Sequence, residues 1–231
     1  MLIVPIGGFQ KSSLIDYPEK ISAIIFTQGC NFRCPYCHNP ELIEDIAGSS
    51  MDESAILDFL KSRIGKLDAV VITGGEPTLH KDLPEFIRQI KDLGFLVKLD
   101  TNGTNPEMLQ NLIDEKLVDY VAMDIKAPIE KYSEVVCTKV DTEKVSKSVE
   151  ILKESDTEHE FRTTVVKSQL SVNDFEKIGE LINGSDKYYL QKFVPSKTLN
   201  RFFINQTTYS DEEFEQIIAN LKKYVKKIEV R

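Results

Sequence analysis

The sequence lacks the features of several broad classes of protein. None of its apolar runs approaches the roughly 20 residues that a membrane-spanning helix needs. Residues 1–5 lack the basic region and the small-residue cleavage site of a signal peptide, and no internal repeat or low-complexity segment is present. The formal charge of −8 is opposite in sign to the basic surface of nucleic-acid-binding proteins. We therefore expect a cytoplasmic protein that binds neither a membrane nor a nucleic acid.

Cysteine is also scarce, with four residues in a chain of 231. Three of them, Cys30, Cys34 and Cys37, lie within eight residues of the sequence, and Cys137 lies far from them. This distribution is a poor framework for disulfide bonds and suits a reducing compartment. Because closely spaced thiolates typically bind iron or zinc, the three cysteines predict a metal site.

The spacing C-x3-C-x2-C leaves two kinds of metal site open. A structural zinc site would take His38 as its fourth ligand, which would make the protein a zinc-binding module without enzyme activity. Cys37 and His38 are adjacent, however, whereas zinc ligands are typically two or more residues apart. A [4Fe-4S] cluster bound by three thiolates would instead leave one iron open to a ligand from outside the protein.

The rest of the chain alternates between strand and helix patterns. Apolar, β-branched runs predict six strands, at residues 21–27, 69–73, 96–100, 119–124, 160–166 and 187–193. Helices are predicted between them, with starts marked by Ser50 with Glu53, Asp82, Asn105 with Pro106, Thr142, and Asn173 with Glu176. A last helix is predicted at about residues 210–227, with Ser210 and Glu213 as its capping pair and Val225 in its apolar stripe.

This alternation predicts an α/β fold with parallel strands and outer helices. Six units are fewer than the eight of a closed barrel, so we expect a partial (β/α)6 barrel. The prediction is one domain over residues 1–231, with a core at about residues 20–193 and an irregular start. In such folds the functional residues collect at the carboxyl ends of the strands.

Three further loops at predicted strand ends carry unusual residues. Residues 73–77 read Thr-Gly-Gly-Glu-Pro, and paired glycines allow a ligand to approach the backbone closely. Residues 100–103 read Asp-Thr-Asn-Gly. Asp124 and Lys126 lie two residues apart, on one face of a strand. Taken singly, these patterns also fit ordinary turns and a surface ion pair.

Together, the cysteine spacing with an aromatic residue before Cys37, and Gly-Gly-Glu-Pro after the next strand, resemble the radical S-adenosylmethionine (SAM) superfamily. The resemblance extends from Lys11 to about Phe193. Within that superfamily, residues 37–41, 100–103 and 124–126 resemble the activating enzymes of glycyl-radical enzymes. Residues 13–18, Ser-Leu-Ile-Asp-Tyr-Pro, are similar to the longer form of the anaerobic ribonucleoside-triphosphate reductase activating proteins.

The resemblance implies which residues bind the cofactors. Cys30, Cys34 and Cys37 would bind the [4Fe-4S] cluster, and SAM would bind its open iron. The residues implied to contact or orient SAM are Tyr36, Gly74, Gly75, Glu76, Asp100, Thr101, Asn102, Lys126, Arg162 and Gln191. Gln191 stands where a related activating enzyme has a histidine. Asp100, Thr101 and Asp124 match a monovalent-cation site of that enzyme.

The implied activity is that of a radical SAM oxidoreductase. One-electron reduction at the cluster would cleave SAM into methionine and a 5′-deoxyadenosyl radical, which would take a hydrogen atom from a glycine of a partner enzyme. The expected partners are anaerobic ribonucleotide reductase and a flavodoxin- or ferredoxin-type electron donor. A small-molecule radical SAM enzyme such as 7-carboxy-7-deazaguanine synthase is the alternative, because it shares the cluster loop and the short barrel.

Overall fold

The structure is a computed structural model that describes residues 4–44 and 51–231. It divides the chain into two compact units. The first unit comprises Met1–Asn31, Glu41–Thr101 and Glu107–Val121, and the second comprises Phe32–Pro40, Asn102–Pro106 and Ala122–Arg231. The single-domain organisation expected from the sequence stays a prediction.

Strands and helices alternate along most of the chain. The strands are β1 (Ile6–Ser13), β2 (Ser22–Thr27), β3 (Ala69–Gly74), β4 (Leu96–Thr101), β5 (Tyr120–Asp124), β6 (Glu158–Val165), β7 (Lys187–Lys192) and β8 (Lys227–Val230). The helices are α1 (Glu53–Lys61), α2 (Leu83–Asp92), α3 (Pro106–Asp114), α4 (Tyr132–Val135), α5 (Thr142–Glu154), α6 (Val172–Leu181) and α7 (Asp211–Leu221). The strand order is β1 to β8, as in the chain. The α/β fold class and all six predicted strands are confirmed, each strand within two residues at either end.

The first unit is built on parallel pairing of β2 with β3 and of β3 with β4. The apolar residues that predicted β3 are fully buried, as expected of a strand covered on both faces. A core cluster includes Tyr17, Ile24, Val71 and Tyr120. The expectation of an irregular start was wrong, because β1 pairs with β2 in antiparallel orientation. Its residues show no apolar alternation, so this strand depends on pairing with β2 for its formation.

The second unit contains β6, β7 and β8, which pair in parallel. The predicted last helix is shorter than expected, since α7 ends at Leu221 instead of about residue 227. Val225 therefore lies beyond the helix, and Lys227 begins β8 on the edge of β7. The Lys227 N–H donates a hydrogen bond to the Asp186 carbonyl oxygen at 2.9 Å, which draws the lysine-rich segment into the sheet.

Helix starts were predicted with mixed success. The capping box of Ser210 and Glu213 at α7 is confirmed. At α6 the capping box consists of Ser171 and Asp174, so the predicted pair Asn173 and Glu176 was wrong by two residues. Asp141 caps α5 in place of Thr142, and Asp52 caps α1. Ser50 lies outside the described residues. Asp82 and Pro106 stand at the predicted starts of α2 and α3.

Within the described part of the chain, no helix has the length and apolar character needed to cross a membrane.

Candidate functional site

Cys30 lies in the loop that follows β2, in the first unit. Backbone hydrogen bonds hold this loop: the Gly29 N–H donates to the Leu42 carbonyl oxygen at 2.8 Å, and the Cys30 N–H donates to that of Ile43 at 2.9 Å. Gly29 has a φ of 85°, a conformation that glycine adopts at little cost. Backbone hydrogen bonds to residues 42 and 43 therefore fix the position of Cys30.

The paired glycines after β3 lie directly against this loop. Gly74 has a φ of 113°, and a Cβ atom on it would collide with the backbone of Thr27. A Cβ atom on Gly75 would collide with the carbonyl oxygen of Gly29. The Glu76 N–H donates to that same oxygen at 2.8 Å. Glycine is therefore required at both positions for the Gly-Gly-Glu loop to approach the segment before Cys30.

The Glu76 side chain joins the ends of two strands. It is 1% exposed, and its Oε1 accepts hydrogen bonds from the Thr78 N–H at 3.1 Å and the Thr101 hydroxyl at 2.6 Å. Thr78 also donates its hydroxyl proton to Oε1, at 2.5 Å. The structure thus brings together Glu76 and Thr101, two of the residues predicted to contact SAM.

Asp100, at the end of β4, forms an ion pair that the sequence analysis missed. The Lys98 ammonium lies 2.7 Å from Asp100 Oδ1, and the Lys98 side chain is only 3% exposed. A lysine is rarely buried to this extent without a charged partner. The available signal was the two-residue spacing, which places both side chains on one face of the strand.

Cys34 and Cys37 belong to the second unit, where they flank a turn. The Cys37 N–H donates to the Cys34 carbonyl oxygen at 3.0 Å. Cys34 is buried, Cys37 is half-buried, and both thiols are free. Burial raises the pKa of the Cys34 thiol to about 11, although the Lys126 ammonium acts in the opposite direction. Ligation to a metal is the kind of interaction that would remove this proton.

Tyr36 lies between these two cysteines and is buried. Burial and the neighbouring Cys34 raise the pKa of its hydroxyl well above the usual value. Among the described residues, this hydroxyl has no hydrogen-bond partner of suitable geometry. Buried hydroxyl groups are normally hydrogen-bonded, so a polar ligand group is the expected partner.

Asp124, Lys126 and Arg162 form a buried charged cluster in the second unit. The Asp124 carboxylate lies 2.9 Å from the Lys126 ammonium and 2.9 Å from the Arg162 Nε atom. Burial alone would raise the pKa of Asp124, but Arg162 and Lys126 outweigh it and hold the pKa at about 2. Burial would likewise lower the pKa of Lys126, yet Asp124, Tyr36 and Cys34 keep it well above the usual value. Two cations thus share one carboxylate close to the cysteine loop.

Tyr132, which the sequence analysis also missed, supports this cluster. Its side chain is fully buried, and its hydroxyl accepts a hydrogen bond from the Lys126 N–H at 3.2 Å. The same hydroxyl donates to the Asp124 carbonyl oxygen at 3.4 Å. No local pattern links Tyr132 to this strand end, because the contact depends on how α4 packs.

Asn102 and Gln191 occupy less distinctive positions in the second unit. The Asn102 side chain accepts hydrogen bonds from the Thr104 N–H at 3.0 Å and hydroxyl at 2.7 Å, which stabilises a turn. Gln191 is half-buried on β7, in register with Thr164 of β6. Their predicted contacts with SAM stay predictions, as does the monovalent-cation site of Asp100, Thr101 and Asp124.

The residues fit the cofactors that the sequence predicts. Cys34 and Cys37 are free thiols, the buried Tyr36 hydroxyl is placed to bind a polar ligand group, and the Gly74–Gly75 backbone carries no side chains that would block a ligand. Among the described residues, no group of three or more His, Cys, Asp or Glu side chains is arranged around a single metal ion. A [4Fe-4S] cluster differs from such a site, because each of its thiolates binds a different iron.

Comparison with known proteins identifies several relatives. The family described as the radical SAM superfamily matches residues 24–182. A Methanocaldococcus jannaschii protein, provisionally named a glycyl-radical enzyme activating enzyme, is 39% identical over 98% of this chain and 95% of its own length. The 7-carboxy-7-deazaguanine synthase of Aquifex aeolicus is 40% identical, over 36% of this chain and 36% of its own.

A solved structure shows the same fold. Streptococcus suis SuiB bound to S-adenosylmethionine aligns with a TM-score of 0.66 and 12% sequence identity, over 87% of this chain and 48% of SuiB.

Proposed function

Because this chain belongs to the radical SAM superfamily, whose enzymes use a [4Fe-4S] cluster and SAM, we propose that it generates a glycyl radical on a partner protein. The observation that carries the proposal is the similarity to a glycyl-radical enzyme activating enzyme over 98% of this chain and 95% of that relative. When bound, the cluster and SAM supply one-electron cleavage of SAM to methionine and a 5′-deoxyadenosyl radical, which removes the glycine hydrogen atom.

In this proposal Cys30, Cys34 and Cys37 hold the cluster. Burial supports the role of Cys34, because a thiolate in a dry site is protected from solvent and from exchange with other metals. Cys137 has no such role, since it is exposed and its thiol donates to the Glu134 carbonyl oxygen at 3.5 Å.

The charged cluster orients SAM. Lys126 and Arg162 both contact the Asp124 carboxylate in a largely buried environment, which places two cationic groups close together. Two neighbouring cations favour the carboxylate of SAM, because charge-assisted hydrogen bonds are strong where water is scarce. Tyr36 offers its hydroxyl to a polar group of the bound cofactor.

The Gly-Gly-Glu loop of the first unit offers backbone groups to a ligand. The carbonyl groups of Gly74, Gly75 and Glu76 are proposed to accept hydrogen bonds from the amino group of SAM. The Glu76 side chain is engaged with Thr78 and Thr101. The Glu76 side chain therefore stabilises the Gly-Gly-Glu loop, and in this proposal the backbone carbonyl group of Glu76 is the part that binds the ligand.

The partner that we propose is an anaerobic ribonucleotide reductase. Residues 13–18, which resemble the activating proteins of that enzyme, connect β1 and β2. Leu14 and Ile15 are 75% and 89% exposed, whereas Tyr17 is buried in the core. A segment that is anchored by a buried tyrosine and exposes apolar side chains suits contact with another protein.

We also propose a cytoplasmic location, because oxidation destroys [4Fe-4S] clusters and the cytoplasm is a reducing compartment.

The test of the proposed function is radical transfer. The protein, reconstituted without oxygen, should give a glycyl-radical doublet by electron paramagnetic resonance when it is mixed with reductant, SAM and the cognate reductase. Cys34→Ala is the matched control and should give none. If the reductase remains diamagnetic while 6-carboxytetrahydropterin is consumed, the enzyme is a deazaguanine synthase. Stoichiometric zinc with no capacity to bind iron would indicate a zinc module.

A further inference from the structure

Residues 194–204, which follow β7, expose an unusual amount of apolar surface. Val194, Phe202 and Ile204 are 63%, 66% and 56% exposed, and Leu199 is 38% exposed. A concentration of exposed apolar side chains in one short segment typically marks a surface that contacts another molecule. We call residues 194–204 the apolar segment.

The apolar segment is firmly attached to the cysteine loop of the second unit. The Leu199 N–H donates to the Cys37 carbonyl oxygen at 3.0 Å, and the Asn200 N–H donates to the Pro35 carbonyl oxygen at 2.9 Å. Its exposed side chains are therefore held in place by two backbone hydrogen bonds, one of them to a proposed cluster ligand.

His38 adds a third attachment. Its Nδ1 atom lies 3.1 Å from the Lys197 carbonyl oxygen and 3.0 Å from the Ser196 hydroxyl oxygen. Its ring also stacks on Phe193, the residue before the apolar segment, at 5.7 Å between centroids. His38, which directly follows Cys37, thus packs against the start of the apolar segment.

The charge of the apolar segment is opposite to that of the whole chain. The chain has a formal charge of −8, yet residues 187–210 contain no aspartate or glutamate. Within the segment, Lys197 and Arg201 are exposed, and the Arg201 guanidinium lies over the Phe202 ring at 5.4 Å. A surface that combines apolar and cationic groups on an acidic protein favours a partner with an acidic face.

We propose that the apolar segment is the docking surface for an acidic one-electron donor protein of the flavodoxin or ferredoxin type. The inference rests on the proposed function, since only a protein with a reducible cluster needs such a donor. One electron passes from the reduced flavin or iron–sulfur centre of the donor, which is oxidised, to the cluster of this protein, which is reduced. No covalent bond is made or broken.

The attachment to the cysteine loop favours the electron donor over the glycyl-radical partner. An electron donor only has to dock within a short distance of a cluster ligand. The Leu199–Cys37 hydrogen bond connects the apolar segment to such a ligand. The glycine of a partner enzyme has to reach SAM itself. The hydrogen bonds that hold the apolar segment go instead to the loop that carries Cys37.

Charge reversal tests the electrostatic part of the proposal. The double variant Lys197→Glu with Arg201→Glu should weaken binding of an oxidised flavodoxin or a two-cluster ferredoxin by about tenfold or more at low salt, with the difference shrinking at high salt. The matched control is Lys222→Glu with Lys223→Glu, which makes the same change of charge beyond α7 and should alter the affinity less than twofold. Calorimetry under anaerobic conditions measures both affinities.

Reduction kinetics separate this proposal from the proposed function. Cluster reduction by photoreduced flavodoxin or ferredoxin, followed by bleaching near 400 nm, should slow about tenfold in Lys197→Glu/Arg201→Glu and in Phe202→Ser. Reduction by dithionite should be unchanged, and dithionite-driven SAM cleavage should remain.

Three outcomes would overturn the docking proposal. These are equal rates for the variants and the wild type with the protein donor, no binding of either donor to the wild type, and weaker binding of the glycyl-radical enzyme alone. Failure of the wild type to cleave SAM even with dithionite would instead overturn the proposed function.

Discussion

At the scale of single residues, the first unit contains a lysine where a purely structural sheet would have an apolar side chain. Lys98 is 3% exposed and its partner Asp100 is 15% exposed. Taking such a charge out of water is costly, and only a well-placed counter-charge compensates for it. The pair therefore couples the stability of β4 to a residue that is proposed to contact SAM.

This coupling predicts unequal effects of removing the two partners. Asp100→Ala should lower the free energy of unfolding by about 3 kcal/mol, because it leaves the more deeply buried Lys98 ammonium without that carboxylate. Lys98→Met should cost less, since Asp100 retains some contact with water. Urea unfolding of both variants measures the difference. A larger loss for Lys98→Met would show that the lysine acts mainly through its packing.

The cysteines also differ from one another at this scale, in burial and in surroundings. Alanine in place of Cys30, Cys34 or Cys37 should abolish assembly of a cluster with about four irons per chain, because each thiolate holds a separate iron. Cys137→Ala is the control and should retain the wild-type iron content, since this thiol is exposed. Iron analysis after anaerobic reconstitution checks both. Loss of iron in the Cys137 variant would contradict the assignment.

At the scale of elements, the helix starts are stabilised by side chains that also connect separate segments. Asp174 of α6 accepts hydrogen bonds from the Ser171 N–H and hydroxyl, each at 2.7 Å, and from the Lys131 ammonium at 2.7 Å. One carboxylate thus caps α6 and binds it to the segment before α4. Burial would raise the pKa of Asp174, but hydrogen bonds from Lys131 and Ser171 outweigh it and hold the pKa below its usual value.

The direction of that pKa shift gives a pH-dependent prediction. Because the folded-state pKa of Asp174 is lower than the unfolded one, its stabilisation is complete above about pH 4 and is lost as the pH falls further. Asp174→Asn should therefore cost about 1–2 kcal/mol at pH 7 and clearly less at about pH 3. Glu176→Gln, on the same helix, is the control and should cost under about 0.5 kcal/mol. A pH-independent loss would mean that charge is not involved.

At the scale of the whole molecule, cofactor binding and stability are linked. Any ligand that binds the folded state alone raises the free energy of unfolding by mass action. SAM is expected to bind far more tightly when the cluster is present, because the open iron adds to the contacts that the protein itself makes with SAM. The stability of the chain should therefore depend on two ligands in sequence.

That linkage predicts a two-step thermal response. SAM at about 100 times its dissociation constant should stabilise the cluster-loaded protein by about 2.7 kcal/mol, which raises the midpoint of unfolding by about 5–10 °C. The Cys34→Ala protein should show a much smaller shift. Anaerobic calorimetry with and without SAM makes the comparison. An equal shift in both proteins would show that SAM binds without the cluster.

The sequence by itself determined the features that depend on neighbours in the chain. The six central strands were predicted correctly, because each contains a short run of apolar, aromatic or β-branched residues, which is the pattern of a buried strand. The Ser210–Glu213 capping box was predicted for the same reason, since its hydrogen bonds connect residues three apart. The cysteine and glycine motifs sufficed to predict the superfamily.

The tertiary structure alone decided the features that depend on distant contacts. Pairing with β2 makes a strand of β1, although that segment has no strand pattern of its own, and pairing with β7 fixes the position of β8. The hydrogen bond from Leu199 to Cys37 joins residues far apart in sequence, and it turns an ordinary loop into a surface fixed to the cysteine loop. Such contacts depend on the geometry of the folded backbone, so they cannot be predicted from local residue patterns.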